Sequence, residues 1–243
     1  EYRKTLFKVI YDKLVGISVG KMSFEEWLKS TSSEDVETFY YGLYCATFPD
    51  EGTYTFTCPK CHTEETIKIN HNNLFKTTDK EKMKKLIADV SKNSHDKDAM
   101  KKYSLVGKSQ TFELSDSGII VDITTPSLWD ALEILRTVPE RVIDRDEYSV
   151  TNMMYIKQML IPDKENKNYI SETDNQEILR IIDNLTIDDS EELRDVVADH
   201  VNENRISYSI KNIKCQSCQN EVKEIPISIE NILFTLIFEK SSI

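Results

Sequence analysis

The chain has 243 residues, 30% of them charged, and a formal net charge of −11 at neutral pH. That length allows one large domain or two modest ones with a sizeable core. The acidity works against nucleic acid as the main partner, since phosphate contacts need clustered Lys and Arg, and no apolar run reaches the roughly 18 residues of a membrane span. Five cysteines, four of them in close pairs, read as metal binding in a reducing compartment and not as a secreted disulfide framework. A start at Glu1 without Met is what a piece of a longer protein would show.

In chain order, Leu6, Val9, Ile10, Leu14 and Ile17 recur near a 3.6-residue period and predict an amphipathic helix over residues 1–18, ended by Gly16 or Gly20. Ser23 with Glu26 has capping-box spacing and opens a short helix through Trp27-Leu28. Ser32 or Ser33, with Glu34 and Asp35, caps a third helix with Val36, Phe39, Tyr40, Leu43 and Tyr44 on one face. Cys45 on that helix reads as a small buried hydrophobe. Pro49-Asp50-Glu51-Gly52 is a turn signal.

Next comes Cys58-Pro59-Lys60-Cys61, and much later Cys215-Gln216-Ser217-Cys218. Two residues between cysteines form a tight knuckle whose thiolates can face one metal ion. One knuckle supplies half of a tetrahedral shell, so Cys58, Cys61, Cys215 and Cys218 together predict one structural Zn2+. The alternative is two separate reduced or redox-active pairs. A redox pair of the thioredoxin type opens a helix near a βαβ unit, and neither knuckle has that setting. Apolar–polar alternation flanks both: Tyr54 to Thr57 and Ile67 to Asn70 around the first, Ile206 to Ile210 and Ile225 to Ile229 around the second. This predicts two strand–knuckle–strand halves of one split zinc ribbon. His62 follows Cys61, but four cysteines already complete the shell. His71, His95 and His200 form no constellation.

Between the knuckles, Thr77 or Thr78 caps a basic helix over residues 79–92, with Met83, Leu86, Ile87 and Val90 inward. Its lysines, Lys76, Lys80, Lys82, Lys84 and Lys85, read as a solvated face. Residues 93–102 read as a polar loop. Residues 111–123 form a hairpin around Ser115-Asp116-Ser117-Gly118. Pro126-Ser127 opens a helix burying Leu128, Leu132 and Leu135, and Thr151 to Leu160 reads as a Met-bearing helix with Met153, Met154 and Met159 as core filling. Residues 161–168 read as an exposed linker, followed by helices over residues 174–184 and 190–202. The acidic clusters Asp144/Asp146/Glu147 and Asp188/Asp189/Glu191/Glu192 lie at helix starts, where the dipole favours carboxylates, and lack a calcium-loop pattern. The terminal Ile232, Leu233, Phe234, Leu236, Ile237 and Phe238 are too apolar for water, and are expected to cover this chain's own core or meet a partner.

The fold class read from these elements is α+β: a mainly helical chain with a split zinc ribbon and a small hairpin. The expected organisation is an N-terminal helical segment (1–52), a first ribbon half (53–75), a mostly helical insertion (76–205), and the second ribbon half with the apolar terminus (206–243). No Gly-rich phosphate loop, zinc-protease helix or nucleophile elbow occurs in the sequence, so the expectation is a binding protein and not an enzyme.

The acidic helix, Lys214-Cys215-Gln216-Ser217-Cys218, the Ile-rich strand and Ile232-Leu233-Phe234 together resemble the zinc-ribbon-bearing baseplate hub and tail-assembly proteins of contractile-tailed bacteriophages. The same flavour recurs where Tyr41-Gly42-Leu43-Tyr44 leads into Cys58-Pro59-Lys60-Cys61. The resemblance covers about the last third of the chain plus the first knuckle. It implies a non-enzymatic structural or assembly component of a tail baseplate, partnered by other tail subunits, assembled in the host cytoplasm and carried in the virion. The competing expectation is a cytoplasmic zinc-ribbon module docking onto proteins of a transcription or replication complex.

Overall fold

The computed structural model describes residues 2–14, 21–47, 51–70, 75–76, 80–93, 96, 102–138, 147–163, 165, 167–204 and 207–229. Helices and small antiparallel sheets make a mixed α+β chain. It folds as two compact units, Glu1–Glu34 with Val90–Asn204, and Asp35–Asp89 with Arg205–Ile243.

In the first unit, α1 (Tyr2–Lys13) buries Leu6, Phe7 and Ile10. Val9, expected inward, is 42% exposed, because Phe7 takes the place on the buried stripe one turn before Ile10. The glycines expected to end this helix lie outside the described residues. Helix α2 (Phe24–Ser30) has the expected capping box: the Glu26 amide donates to Ser23 Oγ at 3.2 Å, and the Ser23 amide to Glu26 Oε2 at 2.7 Å. Beyond it, the Leu128 amide donates to Thr31 O and the Ser33 amide to Pro126 O, which ties this segment to the start of a later helix.

The hairpin of β4 (Ser109–Glu113) and β5 (Ile120–Thr124) turns through Gly118 at φ +69°. It is half of a four-stranded antiparallel sheet in the order β4-β5-β6-β7, with β6 at Ile156–Asp163 and β7 at Asn168–Glu172. The helix read over 151–160 is therefore a correction. Helix α6 (Glu147–Tyr155) gives way to strand β6 (Ile156–Asp163), and the expected linker holds the turn into β7 (Asn168–Glu172). Lys157 to Leu160 are good helix formers, but Val121 pairs with Met159 and Ile161 with Ile170; tertiary pairing overrides the local preference.

Leu114, Val121, Ile123, Met153, Met159, Ile178 and Leu193 are fully buried in one apolar core. Helices α5 (Leu128–Thr137), α7 (Asn175–Asp183) and α8 (Ile187–Asn204) contribute to it or pack against it. Helix α8 starts at Ile187, three residues before the expected Ser190, with the Thr186 hydroxyl accepting from the Asp189 amide at 3.2 Å. Asp122 takes bonds from the Thr111 hydroxyl and the Gln158 amide across three strands, which hold its carboxyl below the usual range.

In the second unit, α3 (Val36–Thr47) buries Tyr40 and Tyr44, and Tyr41 stacks on Tyr208 at 4.7 Å between ring centroids. Strands β1 (Glu51–Thr57) and β2 (Glu64–Asn70) form one sheet, and β3 (Phe75–Lys76), β8 (Ser207–Lys214) and β9 (Glu221–Pro226) a second. Glu51 and Gly52, read as a turn, open β1. Strand β9 ends at Pro226, so Ile227 and Ile229 lie beyond it, both buried. The boundary between the units falls within α4 (Lys80–Asn93), where Lys84 and Lys85 are exposed. Thr77, Thr78 and most of the expected polar loop at 93–102 lie outside the described residues. Among the described residues no helix is long and apolar enough to cross a membrane.

Candidate metal centre

Each knuckle joins two antiparallel strands, and the two have the same backbone. In the first, Thr57 pairs with Glu64, the Cys58 amide donates to Thr63 O at 2.9 Å, and the His62 amide donates to Cys58 O at 2.9 Å. In the second, Lys214 pairs with Glu221, the Cys215 amide donates to Asn220 O at 2.9 Å, and the Gln219 amide donates to Cys215 O at 2.9 Å. The residue after each second cysteine is left-handed, His62 at φ 58° and Gln219 at φ 59°. A side chain other than Gly costs energy there, yet both knuckles accept it at the same position.

The two knuckles meet. Cys58 Sγ lies 3.8 Å from Cys218 Sγ, Cys61 Sγ lies 3.6 Å from Cys215 Sγ, and all four sulfurs fall within 4.8 Å of one another. All are free thiols, far from the roughly 2.05 Å of a disulfide. A tetrahedron with Zn–S bonds of about 2.3 Å has edges of about 3.8 Å, so the donor set fits a tetrathiolate ion in both type and spacing. Among the described residues, these four cysteines form the group of ligating side chains close enough to share an ion.

Cys58 and Cys215 are fully buried, beside Phe56, while Cys61 and Cys218 are half-buried. Tyr54, Ile67, Ile213, Val222 and Ile225 pack around them. This core is small, and two of its three buried members are the cysteines themselves. The Thr63 hydroxyl and amide beside Cys61 pull its thiol down to about 6. Cys215 is shifted the other way, first by its hydrogen bond to Glu65 and then by burial.

Glu65 was not legible as a site residue. Its carboxylate accepts the Cys215 thiol at 2.9 Å, the Gln216 amide at 2.9 Å and the Ser217 amide at 3.0 Å. Those bonds hold its own pKa down to about 2. The one sequence signal is a carboxylate early in the strand that follows a knuckle, and it does not say which backbone the carboxylate will meet.

The remaining candidates are not brought to this centre. Cys45 is half-buried on α3, beside Tyr41, whose phenol is pushed up to about 12 first by burial and then by Cys45. His62 is exposed, and His71 and His95 lie outside the described residues. In the first unit, His200 Nε2 sits 2.8 Å from Thr125 Oγ1, and Tyr155 donates to the buried Glu34 at 2.7 Å. Asp189 is fully buried there and accepts the Asp116 and Ser117 amides, while Glu192 accepts that of Ser115. These two carboxylates hold the turn of the 109–124 hairpin, which accounts for their cluster without a cation. Asp144, Asp146 and the apolar Ile232, Leu233, Phe234, Leu236, Ile237 and Phe238 lie outside the described residues.

Comparison with known proteins brings no matching family model, curated relative or solved structure.

Proposed function

We propose that Cys58, Cys61, Cys215 and Cys218 hold one structural zinc, and that the chain works as a non-catalytic structural or assembly protein. The observation that carries the metal reading is the convergence of four thiols, all within 4.8 Å of one another, on two knuckles with matching backbones. Four protein ligands leave no open position for water or substrate, so the ion would act on folding and not on chemistry. It would fasten two chain regions more than 150 residues apart, a loop whose closure entropy grows only logarithmically with length, so the chief gain is register.

The resemblance to baseplate hub and tail-assembly proteins supports placing the assembly in a contractile phage tail, with the apolar 232–238 segment as the contact to a neighbouring subunit. Truncation after Glu230 tests this. A folded, zinc-loaded chain that no longer enters tail particles is expected; unchanged incorporation would remove the segment from the interface. Co-purification of the full-length chain with polymerase subunits instead of tail proteins would overturn the placement.

A further inference from the structure

The two half-ribbons share a backbone but differ at the positions that face each other across the centre. The residue after the first cysteine is Pro59 in one knuckle and Gln216 in the other. Proline has no amide hydrogen, so the first knuckle lacks a donor that the second retains. The place four residues after the second cysteine is Glu65 in one half and Val222 in the other. The carboxylate thus stands on the half-ribbon whose own knuckle carries the proline, and meets the knuckle that keeps both amide donors.

We infer that Glu65 is a positioning residue for the metal centre, clamping the second knuckle onto the first half-ribbon independently of any ion. This rests on reading the four cysteines as one site. Two backbone bonds, from the Gln216 and Ser217 amides, fix the turn that carries Cys215 and Cys218, and carboxylate acceptors make such bonds strong; the third, from the Cys215 thiol, ends when that sulfur gives up its proton to a metal. The sulfurs are thereby held near tetrahedral spacing before metal arrives. The clamp also sets which halves pair. A first half meeting another first half would place Glu65 opposite Pro59 and lose one of its two backbone donors.

The test compares wild type with Glu65→Ala and Glu65→Gln. Zinc affinity is measured by chelator competition, ligand geometry by the Co2+ absorption spectrum, and exchange of the Gln216 and Ser217 amides by NMR, with and without zinc. Groups that orient metal ligands typically contribute about 10–100-fold to affinity; losing the two amide bonds is expected to outweigh releasing the Cys215 thiol, so Glu65→Ala should weaken zinc binding by up to that factor. Its two amides should exchange faster even without metal, at an unchanged ratio of metal to chain on saturation. Glu65→Gln retains an acceptor oxygen and should recover part of both effects. Wild-type affinity and exchange in Glu65→Ala would overturn the clamp. Should wild type bind no zinc, the metal reading fails by itself; slow exchange of the two amides would then still support the clamp, and fast exchange would refute it.

Discussion

The two knuckles show how little of a candidate metal site has to be contiguous. Cys58 to Thr63 and Cys215 to Asn220 repeat the same two backbone hydrogen bonds and the same left-handed residue, although about 150 residues separate them. What differs is the flanking chemistry, Pro59 and Glu65 in one half against Gln216 and Val222 in the other. Backbone equivalence brings four sulfurs within 4.8 Å of one another, and Glu65 of one half accepts two amides of the other. The first unit has another basis: it is held by a continuous apolar core, whereas the small core around the knuckles contains its own cysteines.

The largest effect should come from the ligands. Cys58→Ser and Cys215→Ser each remove one corner of the same shell, and apparent binding of structural zinc is about 10–16 kcal/mol. Both variants should lose zinc on gel filtration and lose ribbon structure to the same degree. If Cys58→Ser unfolds the ribbon while Cys215→Ser keeps its metal and its melting temperature, the knuckles are independent. Leu193→Ala comes next and separates the two regions. It opens a cavity in the core of the first unit and should cost about 2–5 kcal/mol by denaturant titration. Zinc content of its folded fraction should stay at the wild-type ratio.

A smaller change probes the equivalence of the knuckles directly. His62→Gly and Gln219→Gly relieve left-handed strain of about 1–2 kcal/mol, partly offset by the greater chain entropy of Gly. Each should stabilise the zinc-bound protein by about 0.5–1 kcal/mol, and by similar amounts. A gain at one position paired with a loss at the other would break the match. Cys45→Ala should change least, leaving zinc content intact and stability within about 1 kcal/mol of wild type.

Features set by neighbouring residues were readable from sequence: both knuckles, the Ser23 capping box and the turn at Gly118 each need only a few residues in a row. Features set by distant pairing were not. Strand β6 carries a helix-forming sequence and becomes a strand because β5 and β7 flank it. Glu65 meets its thiol partner 150 residues away, and Asp189 holds amides more than 70 residues distant. A lone carboxylate has no periodicity to mark it, so its role emerges only once the fold supplies its donors.

The central claim is one metal shared by both knuckles, and metal analysis combined with X-ray absorption at the zinc edge tests it most directly. One zinc per chain is expected, surrounded by four sulfurs at about 2.3 Å. A ratio near zero or near two, or a shell with nitrogen or oxygen in place of sulfur, would contradict it.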